Sequence, residues 1–413
     1  MWDNLVLLRQ RNFTLFVAAR WVSFLGNAMA PVAVAFAVIG ISGSASALGL
    51  VLAARIAPQV LLLLAGGVWS DRLPRNRVIA GANLVGGAAQ ALAAFLLITG
   101  VAEIWQLLVL EAVNGAGFAF GGPADVGVVP QIVPGERLQE ANTIVRFGSN
   151  FASIGGAAVA GVLVVAINPG WTIAVDAATF FVAVPLVLGI RGIEKVPVGA
   201  VASFVGEMRA GWTEFIAHRW LWTIVVQFSV LVAATFGCFL VLGPIVAQRD
   251  MDGARSWALI VGAQSLGLLV GSVLMLRLRA SRPIFVATLM TFLFALPLIL
   301  LALGLPAWIV ALGAFLNGIG GEVFSVYWYT ALHEHVAPEA LSRVSAYDAL
   351  GSLALAPVGM AVAGPLADAI GIHATLWLGA TLALGSTVAV LFVPEVRSLR
   401  PRAAMRALAE STL

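Results

Sequence analysis

Charge is what this sequence has least of: Asp, Glu, Lys and Arg make up 10% of its 413 residues, against about 25% in a soluble domain. Such a chain cannot clothe itself in water, which excludes an ordinary soluble globular protein. Cysteine is scarcer still. The single one, Cys238, lies in an apolar run, so an internal disulfide is excluded and redox chemistry is not expected. No glycine-rich stretch has the strand and lysine context of a phosphate loop. His333 and His335 stand two apart in a predicted loop with no cysteine nearby, so no metal site is expected. The reading is therefore of a protein that is no enzyme and carries no cofactor.

What is abundant is apolar sequence, 61% of all residues. Runs long enough to cross a bilayer, about 20 residues each as a helix, recur along the chain. Breaks at Gly, Pro and charge clusters predict an all-α integral membrane protein of 12 transmembrane helices. They fall near 13 to 39, 47 to 69, 78 to 99, 104 to 124, 143 to 166, 171 to 190, 220 to 246, 256 to 276, 284 to 303, 307 to 330, 345 to 368 and 373 to 393. The first run is too long for a signal-peptide core and is kept as a span. The longest polar interruption follows the sixth span. It divides the chain into a six-helix half (1–190), a linker (191–219), a second six-helix half (220–393) and a tail (394–413). The linker places Phe204, Met208, Trp212 and Phe215 on one helical face, the pattern of an interfacial amphipathic helix.

Basic residues set the predicted orientation. With the N-terminus cytoplasmic, Arg9, Arg11, Arg72, Arg75, Arg77, Arg137, Arg191, Lys195, Arg277, Arg279, Arg282, Arg343, Arg397, Arg400, Arg402 and Arg406 all face inward. Only Arg249 and Arg255 remain outside, beside Asp250 and Asp252. This positive-inside pattern predicts a multi-pass protein of a bacterial-type inner (plasma) membrane with both termini in the cytoplasm. The net charge of +3 is then a topology signal, and nucleic acid is not an expected partner.

The chain also repeats itself. "VPGERLQEANTIVRFGSNFASIGGAAVAGVL" from Val133 matches "VAPEALSRVSAYDALGSLALAPVGMAVAGPL" from Val336 at 11 positions with an offset of 203. The same offset lays Asn114 and Gly115 on Asn317 and Gly318. Two parallel six-helix halves are one transporter architecture, with the site near the membrane midplane between them. A duplicated scaffold without transport is the alternative.

The stretch "GGVWSDRLPRNR", Gly66 to Arg77, sits where the second span must turn back. Its arginines suit topology alone, but Asp71 works against the positive-inside bias. Gly67, Asp71, Arg72 and Arg75 match, in place, the Gly-x-Leu-Ala-Asp-Arg-x-Gly-Arg-Arg pattern of the major facilitator superfamily, with Trp69 and Pro74 as departures. The chain resembles that superfamily over nearly its whole length. The resemblance implies a gate motif of Gly67, Asp71, Arg72, Arg75 and Asp125, in which Asp71 holds the N-terminal end of the eleventh span, a helix end that carries about half a positive charge. In the second half, Leu276 stands where the aspartate would be. "LGLVLAARIAP", "GGPADVGVVPQIVP", "GWTIAVDAATFF" and "LSRVSAYDALGSLALAPVGMAVAGPLAD" resemble the subgroup that includes the enterobactin exporter and the macrolide efflux pumps.

Ionisable groups inside spans cost at least about 2.5 to 3.5 kcal/mol and are functional candidates. Arg20, Arg55, Glu111 and Glu322 are such groups, whereas Asp125, Arg146, Asp176, Asp348 and Asp368 are read as lying near helix ends, where solvated caps are expected. Arg55 and Glu111 lie at similar depth and could pair. Burial favours a neutral carboxyl and a guanidinium an ionised one, so such a pair could switch with conformation. Glu111 is the first candidate for proton coupling, with Arg55, Glu322 and Asp348 beside it; a purely structural Arg55–Glu111 pair is the alternative. Many drug/proton antiporters of the superfamily carry arginine where Glu111 stands, and proline where Ala157 stands, so those family roles do not transfer. Substrate-cavity candidates are Arg20, Asn27, Asn114, Gln227, Gln264 and Asn317. The expected function is a monomeric, proton-coupled exporter of amphipathic small molecules such as antibiotics, siderophores or secondary metabolites, acting by alternating access. An importer or facilitator of the same fold, or a membrane sensor or scaffold, is the alternative.

Overall fold

The computed structural model describes residues 7–63, 65–66, 73–193 and 204–400, and every regular element among them is helical. In the first part of the chain these are α1 (Arg11–Ser42), α2 (Ala45–Leu61), α3 (Arg75–Thr99), α4 (Ile104–Ile132), α5 (Leu138–Ala166) and α6 (Pro169–Leu188). A short amphipathic helix, α7 (Phe204–Ala217), precedes α8 (Arg219–Asp250), α9 (Ala254–Met275), α10 (Pro283–Ala302), α11 (Ala307–His335), the broken pair α12 (Pro338–Leu353) and α13 (Ala356–Ile370), α14 (Ile372–Leu391) and α15 (Pro394–Ser398). Among the described residues, eleven helical spans are long and apolar enough to cross a membrane. The apolar α2, 17 residues long, completes the twelve.

The helix ends follow local chemistry. Gly43 and Gly100, both at positive φ, terminate α1 and α3, a conformation that only glycine enters without penalty. The Ser44 hydroxyl caps α2 by accepting from the Ala47 amide at 3.2 Å. Glu103 and Gln106 form a reciprocal capping box on α4, and Asn168 followed by Pro169 opens α6.

Several predicted boundaries were too short. The fourth span is predicted to end near 124, in a stretch that carries Pro123 and Pro130. The helix instead runs through both to Ile132, as membrane helices tolerate proline where neighbours satisfy the freed backbone. The fifth span opens at Leu138 rather than 143. The tenth continues to His335, so His333 and His335 occupy its last helical turn rather than a loop, their Nδ1 atoms bonded to backbone carbonyls one turn earlier. The seventh runs from Arg219 to Asp250 with a π-helical stretch over Phe236–Leu242, where Gly237 meets the Gly359 backbone.

The chain divides into two compact units, residues 1–199 with 247–262, and residues 200–246 with 263–413. In the first, α6 packs on α1 and α3, α4 on α2 and α3, and α5 on α1. Phe13, Phe16, Val17, Ile79, Val128 and Val187 form the core near the helix ends on the side of the N-terminus. In the second, α8 packs on α12 and α14, and α10 on α11. Trp220, Leu221, Phe324, Trp328 and Val344 fill its core. Helix α7 lies on α12: Phe215 is buried, Trp212 stacks on it at 5.6 Å, and Tyr347 meets the Trp212 ring at 5.4 Å. The apolar face read as interfacial is therefore covered in part by protein.

Candidate functional site

The duplicated asparagine-glycine pairs have one structural job. Gly115 of α4 presses on the Arg55 carbonyl of α2, where any side chain would collide with backbone, and Gly318 of α11 presses in the same way on the Gln264 carbonyl of α9. The close crossing that these glycines permit brings Arg55 beside Glu111 in the first unit and Gln264 beside Asn317 in the second.

The first crossing carries charge. Arg55 Nη1 lies 3.3 Å from Glu111 Oε2, its Nη2 donates to Asn27 Oδ1 of α1 at 3.3 Å, and its guanidinium stands 5.6 Å from the Phe118 ring. Glu111 is 3% exposed. Gln90 of α3 reaches toward the same carboxylate.

A second carboxylate joins them. Asp176 of α6 was read from sequence as a solvated group near a helix end, yet it is fully buried, at 0% exposure. It lies two turns into α6, within electrostatic reach of Arg55 and Glu111 and beside Gln90. Neither of its carboxylate oxygens has a hydrogen-bond partner among the described residues. Room for it exists because residue 26 of α1 is glycine: a Cβ there would stand 2.5 Å from Asp176 Oδ1 and 3.1 Å from its Cα. The missed signal was a stripe at i, i+4 and i+7, Thr172, Asp176 and Thr179, all buried on one helical face. At 1.5 Å per residue, Arg55, Gln90, Glu111 and Asp176 each lie about 10 to 15 Å from the helix ends opposite the N-terminal side.

A cavity of about 250 Å³ runs inside the same unit, among α1, α3, α4 and α6. It reaches from Ile79 and Val187 to Asn27 and Asn114. The Asn114 side chain is buried and makes no hydrogen bond among the described residues. Arg20 and Asp125 face this cavity and form an ion pair across it, with the guanidinium 4.6 Å from the Phe24 ring. Asp125 is thus in mid-helix and engaged by a cation, not a capping residue near an end. Arg75 donates to the Gly127 carbonyl of α4, tying the start of α3 to that helix. Gly67, Asp71 and Arg72 of the expected gate motif lie outside the described residues.

The second unit has polar groups but few charges. Gln264 donates to Asn317 at 2.7 Å, and Gln227 is buried, donating to Thr291 and Thr387 at 3.3 Å each. Its amide is thereby committed to a network between helices. Glu322 accepts from Ser272 at 2.8 Å. Asp348, also read as lying near a helix end, is buried inside α12, accepting from the Trp328 indole at 2.9 Å and from Ser352 at 3.2 Å. Arg146 and Asp368 are exposed.

A family model described as "Transmembrane secretion effector" matches residues 3–408. The chain belongs to this family of major facilitator superfamily transporters. The multidrug efflux pump Tap of Mycolicibacterium fortuitum is 27% identical to it, over 91% of this chain and 93% of that protein. Macrolide efflux protein A of Streptococcus pyogenes is 24% identical, over 92% and 96%. Among solved structures, a peptide transporter of the POT type superimposes with a TM-score of 0.74 at 14% identity, covering 94% of this chain and 95% of its own. Nucleoside transporter NupG gives 0.73 at 13%, covering 91% and 99%. The transporter fold with two six-helix halves follows from these matches. The protein is a multi-pass membrane transporter and not an enzyme.

Proposed function

We propose that this transporter is a proton-driven exporter of amphipathic small molecules, set in a bacterial inner (plasma) membrane with both termini in the cytoplasm. The observation that carries the proposal is the Arg55–Glu111 pair. An acid with 3% exposure, held deep in an apolar bundle, is costly to keep, and here it touches a cation whose hold depends on how α2 and α4 cross. Loosening that contact frees the carboxylate to take a proton, and restoring it expels the proton. Drug-efflux relatives covering nearly the whole chain, Tap and macrolide efflux protein A, support export.

Alternating access would rock residues 1–190 against 220–393 about the linker 191–219, in a monomer needing no cofactor. Arg20, Asn27 and Asn114 on one half, with Gln264 and Asn317 on the other, are the polar groups offered to substrate. Asp71, Arg72, Arg75 and Asp125 would latch the cytoplasmic gate, with Gly67 allowing the close turn. The test is substrate-dependent proton movement in proteoliposomes carrying an internal pH-sensitive dye, challenged with ethidium and with erythromycin. Wild-type protein should move protons with one of these compounds and Glu111→Gln should not. Full proton movement in Glu111→Gln would remove Glu111 from the mechanism.

A further inference from the structure

The buried charges of the first unit do not balance. Arg55 is one cation within electrostatic reach of two carboxylates, Glu111 of α4 at 3.3 Å and the buried Asp176 of α6. Helices α1 and α3 meet Asp176 with Gly26 and Gln90, which are uncharged. Arg20 of α1 pairs with Asp125 and not with Asp176. An ionised carboxylate with no hydrogen-bond donor and no solvent is among the costliest groups a fold can hold. Asp176 is closed to solvent, and among the described residues neither of its oxygens accepts a formed hydrogen bond.

We infer that Asp176 is a second proton-carrying residue: it and Glu111 share one proton in front of Arg55, and the cavity between α1, α3, α4 and α6 is that proton's route to the N-terminal side of the membrane. With one proton on the pair, the cluster is neutral, one carboxylate matched to the guanidinium and the other a neutral acid. The Gln90 carboxamide, beside both acids and with its Nε2 unpartnered, can donate to whichever is ionised. Release breaks the acid's O–H bond and passes the proton to water in the cavity, whose inner end is the unpartnered carboxamide of Asn114, one helical turn from Glu111. The cluster is confined to one half. The 203-residue offset that aligns the repeat lays Ala314 on Glu111 and Gly379 on Asp176, while it lays Thr375 on Thr172, both buried and both bonded to the carbonyl four residues earlier. The scaffold is duplicated and the acids are not.

This inference rests on the proton-coupled reading above and is tested separately from it. Infrared difference spectra of the purified protein in lipid, taken across neutral pH, report the C=O stretch of protonated carboxyls. With the separate buried acid of the second unit removed by Asp348→Asn, the protein should show one such buried band that titrates. Asp176→Asn and Glu111→Gln should each abolish it, because either substitution leaves one carboxylate to the one guanidinium, and Asp176→Glu should keep a band with a shifted midpoint. A band that survives Asp176→Asn, or none in the Asp348→Asn protein, overturns the inference. Should the variants fold poorly, wild type alone decides: dicyclohexylcarbodiimide, which attacks protonated buried carboxyls, should label Glu111 and Asp176 to a combined maximum of one adduct per molecule. No adduct on Asp176 overturns it. Ethidium extrusion driven by an imposed pH gradient is the independent arm. If the band behaves as expected but the gradient drives no extrusion, the shared proton stands and the exporter reading falls. If extrusion persists unchanged in Asp176→Asn together with the band, the exporter reading stands and this inference falls.

Discussion

At the residue scale, the Arg55–Glu111 contact joins two groups that are each costly to bury alone. Removing one partner of a buried pair typically costs about 3 to 5 kcal/mol, because the other is stranded. Arg55→Gln should therefore lower the unfolding temperature of the purified protein sharply, and the double variant Arg55→Gln with Glu111→Gln should recover part of that loss. A double variant as unstable as Arg55→Gln alone would show that Glu111 is not what Arg55 satisfies. The pairing was legible from depth along two helices. The weight of Asp176 was not, because burial here depends on Gly26 of α1, a long-range contact that no count from a helix end reveals. Asp348, named as a candidate but read as near a helix end, owes its burial to a similar contact: its donor, the Trp328 indole, comes from the preceding helix.

At the scale of elements, close helix crossings do the positioning. Gly115 touches the backbone of α2, whereas Gly122, two turns further along α4, has open space where a Cβ would go. Gly115→Ala must push the helices apart, and overpacking of this kind costs about 1 to 3 kcal/mol. It should depress thermal stability and transport, whereas Gly122→Ala should leave thermal stability near wild type. Equal losses of stability at the two positions would contradict the crossing geometry. Helix number and order could be read from hydrophobic runs, since apolar length is set by bilayer thickness. The ends were harder. Prolines that stop helices in water are carried inside α4 at Pro123 and Pro130.

At the scale of the whole molecule, the repeat explains why the two halves share a scaffold yet differ in chemistry. The asparagine-glycine crossings recur, Gly115 on Arg55 and Gly318 on Gln264, but the charged cluster of the first half has a neutral counterpart, Gln264 donating to Asn317. The excess of arginine on one side of the spans predicts both termini in the cytoplasm. A C-terminal green fluorescent protein fusion should therefore fluoresce and a C-terminal alkaline phosphatase fusion should be inactive. The reverse pair of results would invert the topology and, with it, the direction assigned to the proton.

Proton-driven export itself is tested most directly by ethidium flux in proteoliposomes of wild-type protein under imposed pH gradients of both signs. The account predicts that ethidium moves against the proton flow, that reversing the gradient reverses its direction, and that a protonophore abolishes the effect. Ethidium flux that is saturable but indifferent to the sign and size of the gradient would contradict it and leave a facilitator whose buried acids serve the fold alone.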